Sequence, residues 1–235
     1  MLKEFLQYVV NEVSKPEQFT FEGRRYSSRS LSPITPPLEK PLIFNTLQSL
    51  MQYANQLGFP SIIQVIDEKE VHFYADEVDA WKQREVFAKA TTALQPERFP
   101  FGKFLAPDEF AIQLRTRFDM TPDLETLIAV TSNISYASNI EVSDDGLTQT
   151  VGQKAGVVLK SRAELPSLAM LKPYRTFLEA GQPESPFIVR ARKNHSDVPE
   201  LALFEADGGA WRLQAVQNIV GFIGKKVHEQ ITVLW

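Results

Sequence analysis

Hydrophobic positions along this chain alternate between a helical period and a strand period, and the switches outline its elements. Leu2, Phe5, Leu6, Val9, Val10 and Val13 recur at helical spacing, so a short helix with one apolar stripe is expected there. Ser14-Lys15-Pro16 ends it, because a residue before proline avoids the α region. Gln18 to Phe21 and Tyr26 read as a small hairpin around Glu22-Gly23. Leu31 to Pro41 contains four prolines and reads as an extended connector. A helix is expected from about Asn45 to Leu57, capped by Asn45 or Thr46 and ended by Gly58.

Period-two alternation then takes over. Ser61 to Ile66 and Val71 to Ala75 form two strands around the polar turn Asp67-Glu68-Lys69-Glu70, and Glu85 to Thr92 forms a third. Short connections favour an antiparallel meander over a doubly wound parallel sheet. Pro107 to Phe118 predicts a helix. Thr121-Pro122-Asp123 opens another, with Thr121 as cap and Pro122 at the first helical position. The two are expected to form a helical hairpin.

From Ser135 onward strands dominate. Ile140 to Ser143 and Leu147 to Gln153 flank the turn Asp144-Asp145-Gly146, and Lys154 to Glu164 extends the sheet. Met170 to Phe177, Phe187 to Lys193 and Leu201 to Ala206 are three further strands, followed by a helix from Trp211 to about His228 and a closing strand from Ile231 to Trp235. The expected fold class is α+β, with mixed, mainly antiparallel sheets and a β-rich C-terminal half closed by one long helix. Residues 1–134 read as a helix-rich α+β region and residues 135–235 as a β-rich region, either as two domains or as one composite domain.

Composition narrows the chemistry. At 235 residues and 43% hydrophobic, the chain is long enough for one substantial core or two small ones. It has no cysteine, which removes disulfides, zinc–thiolate sites, iron–sulfur clusters and cysteine nucleophiles. No apolar run approaches the roughly 20 residues of a membrane span, and the N-terminal sequence lacks the features of a signal peptide. A cytoplasmic location is expected. The net charge of -4 argues against a broad duplex-DNA footprint but leaves room for a local basic groove.

Catalytic and cofactor signatures are missing. His72, His195 and His228 show no ligand spacing and read as structural. There is no P-loop, dinucleotide fingerprint or nucleophile elbow. Pro107-Asp108 and Pro122-Asp123 read as helix starts rather than as nuclease carboxylates. No cofactor, metal or catalytic residue is therefore expected, and a non-enzymatic protein is favoured.

Three basic groupings remain: Arg24, Arg25 and Arg29; Arg115 and Arg117; and Arg190, Arg192 and Lys193 with Tyr174 and Arg175 on an expected neighbouring strand. Arg190 and Arg192 share one face of their strand. Two arginines beside a tyrosine can hold phosphate and stack a base, so Tyr174, Arg175, Arg190, Arg192 and Lys193 form the candidate site for nucleic acid or a nucleotide. The plainer alternative is a solvated sheet face. In the segment Phe204-Glu205-Ala206-Asp207-Gly208-Gly209-Ala210-Trp211 a strand runs into a helix, with Asp207 or Gly208 as cap and glycines permitting a sharp turn.

The segments Asp144 to Val151, Leu171 to Phe177, Gln182 to Phe187 and Leu203 to Trp211 resemble the YfdQ-like family of phage and prophage proteins. The resemblance covers most of the chain. It implies a phage or prophage origin and a bacterial cytoplasmic setting among early phage functions near recombination genes, and it supplies no activity or catalytic residue. The expected partners are single-stranded DNA or a phage recombination or replication protein, met by a homo-oligomer that gathers basic strands from several copies. The alternative is a counter-defence protein that sequesters a host nucleotide signal or inhibits a host enzyme, with a host defence factor as its partner.

Overall fold

In a computed structural model of the chain, described for residues 2–13, 17–21, 24–27, 39–77, 84–92, 97–135, 140–144, 149–155, 158–196 and 198–235, two compact units separate at Leu38/Glu39. The first contains helix α1 (Leu2–Val13) and the antiparallel hairpin β1 (Gln18–Phe21) and β2 (Arg24–Ser27). Leu2, Phe5, Leu6 and Tyr8 of α1 are exposed. Most of the proline-rich connector lies outside the described residues, as does the turn around Gly146.

The second unit, Glu39–Trp235, spans the boundary expected near residue 134. Strands from both halves of the sequence share its sheets, which is why no break occurs there. Its five-stranded sheet has the order β14-β4-β5-β6-β3, with β3 at Leu42–Phe44, β4 at Ser61–Val65, β5 at Glu70–Ala75, β6 at Val86–Thr91 and β14 at Ile231–Leu234. β4, β5 and β6 form the antiparallel meander that the alternation predicts, while β14 joins β4 and β3 joins β6 in parallel. Asp67 shapes the β4–β5 turn, its Oδ1 accepting from the backbone N–H of Lys69 at 2.7 Å and of Glu70 at 2.9 Å.

Helix α2 (Leu47–Leu57) is capped by Thr46, whose Oγ1 accepts from Ser49 N at 3.1 Å, and ends at Gly58 in the left-handed region. Leu47, Leu50, Met51 and Ala54 recur at helical spacing and are buried against Ile63, Val65, Val71, Phe73, Ala88 and Ala90. Helix α5 (Trp211–Gly224) adds Ile219 and Ile223 to that core. It ends four residues before His228, where the helix was expected to stop, with Lys225 as its C-cap.

The four-stranded antiparallel sheet has the order β13-β12-β11-β7, with β7 at Phe118–Asp119, β11 at Leu168–Pro173, β12 at Ser185–Lys193 and β13 at Pro199–Glu205. Helices α3 (Pro107–Arg117) and α4 (Pro122–Ser135) pack together. Thr121 caps α4 as expected, accepting from Leu124 N at 3.1 Å. Phe110, Leu114, Leu124 and Leu127 share a core with Phe187, Val189, Leu201 and Leu203. Phe99 lies edge-on to Phe110 at 5.7 Å and to Phe118 at 5.3 Å, and Phe101 stacks on Phe187 at 5.1 Å. Such aromatic pairs add to the burial term.

A three-stranded antiparallel sheet, β10-β9-β8, comprises β8 (Ile140–Asp144), β9 (Gln149–Ala155) and β10 (Val158–Leu165). The molecule is therefore α+β, with mixed, mainly antiparallel sheets and a strand-rich C-terminal half carrying one long helix. The strand expected from Met170 to Phe177 is corrected: pairing stops at Pro173, and residues 174–184 form a loop. No helix among the described residues is long and apolar enough to cross a membrane.

Candidate nucleic-acid interface

Strand β12 sorts its side chains by alternation. Phe187, Val189 and Ala191 are buried in the core, and Ile188, Arg190 and Arg192 take the other face. Cross-strand register places Phe204 opposite Ile188, Ala202 opposite Arg190 and Glu200 opposite Arg192. The segment 102–105 runs along the far edge of β13. Gly102 N donates to Leu203 O at 2.8 Å, and Leu105 and Leu201 exchange backbone hydrogen bonds at 2.9 Å. Gly102 has φ 74°, a left-handed conformation that glycine adopts without steric cost.

That edge segment delivers Phe104. The Arg192 guanidinium lies over the Phe104 ring at 3.9 Å from its centroid, and Phe104 meets Phe204 edge-on at 6.2 Å. Arg192 Nε donates to Glu200 Oε2 at 2.9 Å, and Nη2 lies 2.9 Å from the same oxygen as an ion pair. The Arg192 side chain is still 55% exposed. Arg190 reaches a different state: its Nη1 is buried and has no hydrogen-bond partner among the described residues. A buried donor without an acceptor carries a desolvation cost that a bound water, ion or ligand can relieve. Lys193 is exposed at the end of the strand.

Tyr174 and Arg175 do not join this face. Arg175 is 1% exposed. Its Nη1 donates to Glu205 Oε1 at 2.8 Å, its Nη2 donates to Ser185 Oγ at 2.7 Å, and its guanidinium lies 4.0 Å from the Trp211 ring centroid. Burial pulls this guanidinium below its ordinary range, and Glu205 opposes the shift. The structure thus places Arg175 in a buried cluster rather than on the face that carries Arg190 and Arg192. Tyr174 anchors its backbone N–H on Arg117 O at 2.9 Å. Burial, and then its hydrogen bond to Asp119, raises the phenol above its ordinary range.

The loop 174–184 is a junction built around Arg175. Gln182 Oε1 accepts from the N–H of Arg175 at 3.0 Å, and its Nε2 donates to Phe177 O at 3.0 Å. Thr176 Oγ1 donates to Glu68 O at 2.6 Å, on the β4–β5 turn. Glu179 accepts from Leu47 N at 2.8 Å and Gln48 N at 2.9 Å, a carboxylate at the positive end of α2. Asp207 accepts from Gly209 N at 3.0 Å and Trp211 N at 2.9 Å, which positions Trp211 over Arg175. Gly208 and Gly209 have φ 62° and 88°, and a Cβ at Gly209 would lie 2.6 Å from Arg212 Nη1. The sharp turn expected at Phe204 to Trp211 is thus present.

Compared with protein-family models, curated proteins and solved structures, the chain matches none.

The geometry therefore carries the reading. Among the described residues, no three His, Asp or Glu side chains gather where a metal ion could sit. Of the five candidate residues, Arg190 and Arg192 are brought together on the outer sheet face, Lys193 ends the same strand, Arg175 belongs to the buried junction, and the half-buried Tyr174 lies beside Arg117 and Asp119. The sequence reading missed Phe104 and Phe204. Phe104 sits on an irregular segment with no periodic signal, whereas Phe204 was legible as the outward position opposite the arginine strand.

Proposed function

We propose that the chain is a non-enzymatic phage or prophage accessory protein that binds single-stranded DNA through the outer face of its four-stranded sheet, in the bacterial cytoplasm and as a homo-oligomer. The observation that carries this reading is the grouping of Arg190 and Arg192 with Phe104 and Phe204 on one face. Guanidinium groups serve phosphates and aromatic faces serve bases, a combination suited to a strand whose bases are unpaired. The phage setting rests on the YfdQ-like resemblance of the junction segments. Fluorescence anisotropy with a labelled oligothymidylate and with a duplex of equal length, across a salt series, tests it. Stronger binding to the single strand, weakening with salt, is expected. No binding to either at low salt refutes it, and binding of a recombination protein instead redirects it.

A second reading is sequestration of a single nucleotide. One platform, Arg192 on Phe104, beside one unpartnered donor, Arg190 Nη1, is a two-point site suited to a small ligand. Mass spectrometry of protein purified from infected cells would then find a retained nucleotide.

A further inference from the structure

The five-stranded sheet buries one face against α2 and α5 and carries a linked set of titratable side chains on the other. Glu70, His72 and Tyr74 alternate along β5 and so share that second face. His72 Nδ1 lies 2.8 Å from Tyr74 Oη, and His72 Nε2 is hydrogen-bonded to Glu70 Oε1. Lys89, opposite His72 on β6, reaches Glu70 Oε1 at 3.4 Å. Gln64 faces His72 from β4 and brings no charge. The His72 side chain is 13% exposed and that of Glu70 36%, and Tyr74 is half-buried.

The order of donors follows from chemistry. An ionised carboxylate only accepts hydrogen bonds, so Glu70 accepts one from His72 Nε2–H. The hydrogen bond from His72, with further help from Lys89, holds the Glu70 carboxyl below its ordinary range. In the neutral form of His72 the lone pair is then on Nδ1, where it can accept from Tyr74 Oη–H. Carboxylate, imidazole and hydroxyl stand in the order that activates a hydroxyl nucleophile through an adjacent base. The charges of Glu70 and Lys89 offset one another, so the cluster has no excess positive charge to draw a phosphate. A neutral carbonyl electrophile fits better.

We propose that Tyr74 is a base-activated acceptor hydroxyl on the outer face of the five-stranded sheet, a site of covalent modification by activated acyl donors. In the step, a bond forms between Tyr74 Oη and the acyl carbon, and the bond from that carbon to its leaving group breaks. The phenol proton passes to His72 Nδ1 and then to the departing group.

Acetylimidazole, which acetylates tyrosine oxygens and releases imidazole, is a direct probe. The intact protein would be treated at neutral pH and acetylation followed at each tyrosine by peptide mass spectrometry. Tyr8, 65% exposed, is the internal reference for simple accessibility. Tyr74 is expected to react roughly tenfold faster than Tyr8 despite being less exposed, a modest share of what a positioned base supplies. His72→Gln lowers the ratio of the two rates to one or below. Glu70→Gln, which preserves shape, lowers it part of the way. A Tyr74 rate no greater than that of Tyr8, or a ratio that both variants leave unchanged, overturns the proposal.

Discussion

Two arginines in this protein are built from the same parts and placed in opposite surroundings. Arg175 lies 4.0 Å over Trp211 and donates to Glu205; Arg192 lies 3.9 Å over Phe104 and donates to Glu200. Each combines a guanidinium, an aromatic face and a carboxylate. The first side chain is 2% exposed and the second 55%. In water the aromatic contact contributes about 0.5–1 kcal/mol, and when desolvated it approaches about 2 kcal/mol. Arg175 is enclosed while its partner Glu205 keeps a 35% exposed side chain, so losing that guanidinium removes buried contacts, whereas Arg192 can exchange its partners for solvent. Identical chemistry is therefore structural at Arg175 and available at Arg192.

Removing the buried arginine should have the largest effect. Arg175→Ala strands the buried Ser185 hydroxyl and empties the space under Trp211, and should cost about 2–5 kcal/mol in a urea titration. Arg175→Met, apolar and of similar reach, should cost clearly less. Equal losses in the two variants would mean that charge pairing and hydrogen bonding rather than packing govern the junction. Next comes Asp207→Ala, which releases two backbone N–H groups and loosens Trp211. A loss of about 0.5–2 kcal/mol is expected by the same titration. On the exposed side, Arg192→Ala should cost less than about 1 kcal/mol of stability. If the proposed interface is correct, it also lowers the salt slope of oligothymidylate binding by about 0.7. Glu200→Gln should be the mildest in stability. By releasing Arg192 it should raise single-strand affinity by up to about fivefold, the equivalent of one surface ion pair. A fall in affinity would instead make Glu200 a positioning residue and erase the distinction between the two arginines.

Much of the fold was legible because its signals are local. The meander of β4, β5 and β6 follows from alternation and from Asp67 at the turn, and the starts of α2 and α4 follow from Thr46 and Thr121. The parallel edge strands were not legible as pairings: β14 finds β4 across about 170 residues, and no spacing rule reaches that far. Arg175 misled for a related reason. Charged residues are rarely buried without partners, and its partner Glu205 lies thirty residues away beyond two strand turns. Conversely, the Glu70, His72 and Tyr74 alternation stood in plain sequence. Spacing of two along one strand face links these side chains, whereas histidine ligand spacing does not reach them.

Glu179 closes the N-terminus of α2 from 132 residues downstream, and β14 completes the first sheet from farther still. On the ribosome, therefore, α2 and the β4–β6 meander emerge long before the groups that finish them. Their apolar faces must wait, or pair provisionally, until the C-terminal strands arrive. Contacts of such long sequence separation slow folding and leave partly built sheets open to wrong partners. The arrival of β14 thus sets the time at which the first sheet can be completed during synthesis.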